Sequence, residues 1–141
     1  MNQTEGLVQT YIDTGVLIAA WRGEKEIAQK ALQIFDDPKR EILLSDAVRL
    51  KVFPKTIYNR REEERRFLEQ LFQTAAENLA WEKVPFREIY KLACQYGLGA
   101  MDALHLALAL HVGAKEFVTT EKPTHPLFRC RDLAVVFFGS V

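Results

Sequence analysis

The chain has 141 residues, of which 48% are hydrophobic and 27% are charged, a composition typical of one globular domain. Its 19 basic and 19 acidic residues cancel, which argues against a nucleic-acid module that is basic over its whole surface. The N-terminal residues lack the basic and apolar regions of a signal peptide, and no run of about 18 apolar residues occurs. We therefore expect a cytoplasmic protein without a membrane span.

Strands alternate with helices along the whole chain. In chain order the predicted elements are a strand at 7–12, helices at 16–21 and 24–35, a strand at 42–44, helices at 46–52 and 57–76, a strand at 79–81, helices at 86–96 and 101–111, and strands at 117–119 and 134–138. This alternation predicts a three-layer α/β/α fold, in which helices cover both faces of a mostly parallel central sheet. No linker or repeat interrupts it, so residues 1–141 are predicted to form one domain.

Proline and glycine set several of these boundaries. Pro38 follows the end of the second helix, and Pro54 is predicted to separate the helix at 46–52 from the charged helix at 57–76. Gly113 is a suitable C-cap for the last helix.

Three acidic side chains lie where an open parallel sheet binds its ligands, beyond the carboxyl ends of the strands. Asp13 closes the first strand, Glu121 follows the strand at 117–119, and Asp102 begins an apolar helix that should be buried. A buried carboxylate is costly unless it is paired or binds a metal. Carboxylates suit Mg²⁺ or Mn²⁺, and a metal-bound water suits phosphodiester hydrolysis.

Each of these residues also has an ordinary structural explanation. Asp13 is a favoured N-cap, Asp102 gains from the dipole of its helix, and Glu121 taken alone is a loop glutamate. His105, one turn after Asp102, is more simply explained as a core histidine bonded to a neighbour than as a metal ligand. The other two histidines have even less support as ligands.

Three segments together resemble the PIN domain family, the nuclease fold of VapC-type toxins and related RNA-processing enzymes. Residues 11–19, Tyr-Ile-Asp-Thr-Gly-Val-Leu-Ile-Ala, resemble the family's first strand and its aspartate. Residues 101–109, Met-Asp-Ala-Leu-His-Leu-Ala-Leu-Ala, resemble its D-A-x-H-x-A-x-A helix, the most specific of the three matches. Residues 118–121, Val-Thr-Thr-Glu, resemble its T-x-D strand end.

The resemblance covers nearly the whole chain and implies a PIN-like endoribonuclease that depends on Mg²⁺ or Mn²⁺. Asp13, Asp102 and Glu121 then map onto the family's catalytic and metal-binding acids, with Glu121 as a longer substitute for the usual aspartate. Thr119 maps onto the neighbouring hydroxyl. RNA is the implied substrate, and an antitoxin-like partner protein and a homodimer are the implied assemblies.

One position departs from the family pattern. Residues 45–55 resemble the helix that carries a further family glutamate, and the alignment places Lys51 at that position. An ammonium group beside the carboxylates would compete with a metal cation for them. The alternative function is therefore a catalytically weakened or inactive PIN-like domain that binds RNA or a protein partner and has lost its metal. A slip of the alignment, or a Lys51 that points to solvent, stays open.

Basic residues cluster around the same part of the sequence. Arg49, Lys55, Arg60 and Arg61 are candidate contacts for RNA phosphates, which would set affinity rather than sequence choice. A solvated helix face with intrahelical Glu–Arg pairs explains them equally well. A different α/β module that uses Asp13 for phosphoryl chemistry is the weakest alternative, because no glycine-rich phosphate loop is present.

Overall fold

Parallel strands and helices alternate through residues 6–139, the part of the chain that the computed structural model describes. The strands are β1 (Val8–Ile12), β2 (Arg40–Ser45), β3 (Glu77–Leu79), β4 (Glu116–Thr119) and β5 (Ala134–Phe137). The helices are α1 (Thr14–Arg22), α2 (Lys25–Phe35), α3 (Asp46–Tyr58), α4 (Glu62–Thr74), α5 (Phe86–Tyr96) and α6 (Ala100–His111). Short 3₁₀ turns lie at Trp81–Lys83 and Pro126–Arg129.

The five strands form one sheet in the order β3-β2-β1-β4-β5, and every neighbouring pair is parallel. The predicted α/β fold is confirmed, with a sheet that is wholly parallel in the described residues. β1 lies at its centre, where Tyr11 is opposite Leu43 on one side and Phe117 on the other. Because the strands run in one direction, the residues that follow β1, β2 and β4 meet at the same edge.

The core explains why α6 is apolar around most of its circumference. Residues 103–109 of this helix are all buried. Tyr11 is fully buried too, and its ring stacks on Phe117 with the centroids 5.1 Å apart. The burial of α6 brings its first turn, with Asp102, to the edge where β1 and β4 end. In residues 6–139 no helix is long and apolar enough to cross a membrane.

The predicted helix break at Pro54 is wrong, because α3 continues through Pro54 to Tyr58. Pro54 is exposed, and the Leu50 carbonyl that loses its helical partner belongs to a residue that is 54% exposed, so water can satisfy it. The chain instead turns at residues 59–61, where Arg60 adopts a left-handed φ of 54°.

The predicted strand at 79–81 is shifted in the structure. β3 covers residues 77–79 rather than 79–81, because these residues pair with Leu43–Ser45 of β2 and Trp81 already begins a 3₁₀ turn. Gly113 has a φ of +74°, in keeping with the predicted end of α6. Residues 1 and 141, the predicted limits of the domain, lie outside the described residues, so the extent 1–141 stays a prediction.

Candidate functional site

Asp13 lies at the point where β1 passes into α1. Its backbone N–H donates to the Val118 carbonyl of β4 at 2.9 Å, which seats it at the carboxyl end of the sheet. The carboxylate is buried and accepts two hydrogen bonds, from the Thr14 N–H to Oδ1 at 2.7 Å and from the Thr119 hydroxyl to Oδ2 at 2.8 Å. Asp13 is therefore both the N-cap of α1 and a fixed carboxylate in a cleft.

Thr119 connects this carboxylate to the loop after β4. Its Oγ1 accepts the backbone N–H of Glu121 at 3.0 Å while its hydroxyl donates to Asp13. On the other side of the loop, Gly15 packs so closely on Thr120 that a Cβ at Gly15 would overlap the Thr120 side chain. The first turn of α1 and the loop after β4 are thus in close contact, and the Thr119 side chain connects the backbone of Glu121 to Asp13.

Asp102 and Glu121 face a histidine that the sequence did not single out. His125 Nε2 lies 3.4 Å from Asp102 Oδ2 and 3.9 Å from Glu121 Oε2. Its Nδ1 accepts the Leu127 N–H at 3.1 Å, so the hydrogen of the neutral ring lies on Nε2 and points to the two carboxylates. One feature of the sequence could have identified His125 as a site residue: it lies four residues after Glu121, in a loop at the carboxyl end of a strand.

The carboxylates are close enough to influence one another. Burial raises the pKa of the Asp102 carboxyl; His125 opposes this shift, and the negative charges of Asp13 and Glu121 add to it. The structure thus brings Asp13, Asp102 and Glu121 within electrostatic reach of one another at one edge, as their positions in the sequence predict.

His105 is the buried core histidine that its apolar helix predicts. Its ring is 1% exposed, and Nδ1 lies 2.6 Å from the hydroxyl of Tyr11. Its Nε2 has no hydrogen-bond partner among the described residues and lies 3.8 Å from Asp13 Oδ1. Burial lowers the pKa of His105; Asp13 opposes this shift, Lys51 adds to it and Asp102 opposes it.

Lys51 is exposed on α3, within electrostatic reach of the cleft but without a direct ion pair. Within residues 6–139, no carboxylate oxygen lies within 4.0 Å of its ammonium nitrogen. It lines a groove of about 340 Å³ between α1, α3 and α4, which we call the cationic groove. The charged residues that line the cationic groove are Arg22, Lys51, Lys55, Arg61 and Glu64.

The four basic residues proposed to contact RNA lie in different surroundings. Lys55 and Arg61 line the cationic groove. The guanidinium of Arg49 instead stacks over Phe72, 4.6 Å from the ring centroid, and lies 5.4 Å from that of Phe53. Arg60 forms the left-handed turn between α3 and α4.

The donor chemistry of the cleft fits a hard divalent cation, because three carboxylates crowd one edge and their mutual repulsion would be relieved by Mg²⁺ or Mn²⁺. The ligands are not assembled, however. Across residues 6–139, no group of three or more His, Cys, Asp or Glu side chains is arranged to hold a metal ion. The Asp13 carboxylate accepts hydrogen bonds from Thr14 and Thr119, and the carboxylates of Asp102 and Glu121 face His125.

Comparisons with known proteins agree with this architecture. The structure is similar to VapBC2 from Rickettsia felis, solved bound to a DNA fragment from their promoter, with a TM-score of 0.70, 15% identity, and 94% of this chain and 100% of that chain covered. It is also similar to PAE2754 from Pyrobaculum aerophilum, with a TM-score of 0.61, 19% identity, and coverage of 94% and 88%. FitAcB from Neisseria gonorrhoeae gives a TM-score of 0.61, 18% identity, and coverage of 90% and 96%.

At these identities the solved structures establish the fold alone. A search of curated proteins gives no match. The sequence itself matches the model of the PIN domain over residues 10–122, which include Asp13, Asp102 and Glu121. The chain therefore belongs to the PIN domain family.

Proposed function

We propose that this protein is a PIN-type endoribonuclease whose active site is the cleft formed by Asp13, Asp102 and Glu121. The observation that supports the proposal is the convergence of these three carboxylates, from β1, α6 and the loop after β4, at one edge of the sheet. The same three residues would hold Mg²⁺ or Mn²⁺, which when bound supplies an activated water and stabilises charge on the phosphate.

The chain's own residues prepare this cleft. Thr14 and Thr119 hold both oxygens of Asp13, which fixes the orientation of its carboxylate. His125 directs Nε2–H to Asp102 and Glu121, so that their repulsion is partly balanced. Burial of Asp13 keeps bulk water from the carboxylate and strengthens its electrostatic interactions.

The cationic groove supports RNA as the substrate. Four basic side chains and one carboxylate line it, although the net charge of the whole chain is zero. The carboxylate, Glu64, is already paired with Arg22, so Lys51 and Lys55 present unbalanced positive charge next to the cleft. Lys51 connects the groove to the cleft electrostatically, because its charge acts on His105, which lies 3.8 Å from Asp13.

Cleavage of a single-stranded oligoribonucleotide in Mn²⁺ tests the catalytic proposal. We expect Asp13→Asn and Asp102→Asn each to lower the rate at least about 100-fold, because loss of a direct metal ligand should cost at least as much as loss of an outer-shell partner. Asp132→Asn, an exposed acid outside the cleft, is the matched control. Cleavage that survives both cleft substitutions would exclude this active site.

RNA binding is tested separately in EDTA, where cleavage does not interfere. Each lost phosphate contact should reduce the slope of log affinity against log salt by about 0.7 for a single strand. We expect this reduction for Lys55→Ala and no change for Lys30→Ala on the exposed surface of α2. Equal slopes for the two variants would remove the groove from the binding surface.

Lys51 favours a second candidate function, an RNA-binding PIN domain with weakened or absent metal-dependent cleavage. Lys51 stands at the position where the family pattern has a glutamate, and its positive charge acts electrostatically on His105, next to Asp13. Isothermal calorimetry with Mn²⁺ separates the two functions. Tight binding that Asp13→Asn abolishes supports the nuclease, whereas RNA binding without any Mn²⁺ binding supports the second candidate.

The similarity to VapBC2 supports a further proposal, that an antitoxin-like protein is the partner of this chain. A homodimer and a cytoplasmic location remain predictions. Light scattering on the purified protein measures the oligomeric state, and a single-copy mass would contradict the homodimer.

A further inference from the structure

The hydroxyls of Ser45 and Tyr11 and the imidazole of His105 form a buried chain of hydrogen bonds next to the cleft. Ser45 is 1% exposed, Tyr11 is fully buried and His105 is 1% exposed. The Tyr11 hydroxyl lies 2.7 Å from Ser45 Oγ and 2.6 Å from His105 Nδ1. These hydrogen bonds therefore connect the end of β2 to α6 through the central strand β1.

The direction of these hydrogen bonds follows from the far end of the chain. His105 Nε2 faces Asp13 Oδ1 at 3.8 Å and has no hydrogen-bond partner in the described structure. A hydrogen on Nδ1 would leave a bare lone pair on Nε2 facing a carboxylate oxygen, which is repulsive in a buried site. The neutral ring is therefore stabilised with its hydrogen on Nε2, and Nδ1 accepts from Tyr11.

Tyr11 is suited to be that donor. Its hydroxyl is fully buried between Ser45 Oγ at 2.7 Å and His105 Nδ1 at 2.6 Å, so its one hydrogen goes to one of these two atoms. Ser45 Oγ in turn accepts the Val48 N–H at 3.3 Å as the N-cap of α3, which leaves its own hydrogen free to donate to the Tyr11 oxygen. The polar hydrogens of the Ser45 and Tyr11 side chains then each have an acceptor, and the remaining one, Nε2–H of His105, is directed to Asp13.

We propose that Tyr11 is a positioning residue for Asp13: by donating to Nδ1 it reinforces the tautomer of His105 whose Nε2–H faces the Asp13 carboxylate. Asp13 already accepts hydrogen bonds at 2.7 and 2.8 Å, and the Nε2–H of His105, whose nitrogen lies 3.8 Å from Oδ1, adds electrostatic attraction. Any effect of Tyr11 on catalysis rests on the proposed function of Asp13 as a metal ligand. The tautomer of His105 does not depend on that function.

The tautomer is measured by NMR on ¹⁵N-labelled protein, with two-bond correlations from the imidazole carbon-bound hydrogens to both ring nitrogens. We expect the hydrogen of His105 on Nε2 in the unmodified protein. Tyr11→Phe keeps the ring but removes the donor, so the share of the Nδ1–H tautomer should rise although Asp13 still opposes it. Tyr90→Phe on the exposed side of α5 is the matched control and should leave the spectrum of His105 unchanged.

Ser45→Ala provides a second variant if Tyr11→Phe does not fold. It removes the outer hydroxyl but leaves the Tyr11 donor, so Nε2–H should remain the tautomer. A hydrogen on Nδ1 in the unmodified protein, or an unchanged tautomer in a folded Tyr11→Phe variant, would overturn the proposal.

The role in positioning is read from the metal affinity of the same variants. Tyr11→Phe should weaken Mn²⁺ binding about tenfold, the smaller end of the effect of losing an outer-shell partner, whereas Tyr90→Phe should not. An altered tautomer with unchanged Mn²⁺ affinity would overturn the role in positioning Asp13. If Asp13→Asn also leaves Mn²⁺ affinity and cleavage unchanged, the proposed function fails instead.

Discussion

Arg22 donates two hydrogen bonds to the buried carboxylate of Glu64, from Nε to Oε1 at 3.1 Å and from Nη2 to Oε2 at 3.2 Å. The pair joins α1 to α4 in the wall of the cationic groove. Arg22→Ala would leave a carboxylate that is 8% exposed with Arg61, at 3.8 Å, as its one remaining cationic partner among residues 6–139. We expect a loss of about 1–2 kcal/mol in the free energy of unfolding, moderated because Arg22 is 49% exposed.

Urea denaturation measures this loss, and Arg65→Ala is its control. Arg65 pairs with Glu62 at 2.6 Å within α4, with both side chains more than a third exposed. Such a pair contributes at most about 0.5 kcal/mol. Equal losses for the two variants would show that the contact between α1 and α4 is worth no more than a surface pair.

Lys51→Glu is expected to strengthen the metal site. The substitution removes a positive charge that acts on the cleft and supplies a fourth oxygen donor at its edge. We expect Mn²⁺ affinity to rise at least about tenfold, or about 1.4 kcal/mol, by calorimetry. Lys55→Glu, one turn further along the same groove, controls for the charge alone. An equal gain for both variants would show that Lys51 has no special relation to the site.

Arg60→Gly is expected to stabilise the fold. Arg60 has a φ of 54°, a conformation that costs a residue with a side chain roughly 1 kcal/mol and costs glycine little. We expect the free energy of unfolding to rise by about 0.5–1 kcal/mol. Asn59→Gly, at a φ of −85°, should show no such gain, and a loss of stability in Arg60→Gly would contradict the strain.

His105 should make stability fall as the pH decreases below about 6.5, its ordinary pKa. Burial lowers the pKa of the folded imidazole, and Lys51 adds to this effect while Asp13 and Asp102 oppose it. Below about 6.5 the unfolded chain therefore binds more protons than the folded chain. The free energy of unfolding should drop by up to about 1.4 kcal/mol per pH unit until the folded pKa is reached.

The measurement compares urea denaturation between pH 7.5 and 5.5 in metal-free buffer. His105→Gln should lose this part of the pH dependence, whereas His111→Gln, exposed at the end of α6, should retain it. Parallel pH profiles for the unmodified protein and His105→Gln would contradict a lowered pKa.

Local sequence patterns were enough to predict the order of strands and helices, the parallel sheet and the edge at which Asp13, Asp102 and Glu121 meet. These features depend on local periodicity and on strand direction, which short segments already contain. These patterns did not predict that α3 would continue through Pro54, because the cost of that proline depends on whether the free carbonyl of Leu50 reaches water.

The partners of the site residues come from long-range packing. Thr119 contacts Asp13 across 106 positions of sequence, and Tyr11 meets His105 across 94. The packing of the loop after β4 places His125 next to Asp102. Arg49 stacks on Phe72 rather than lining the cationic groove. These contacts depend on how distant segments pack, so residue type and local spacing alone do not specify them.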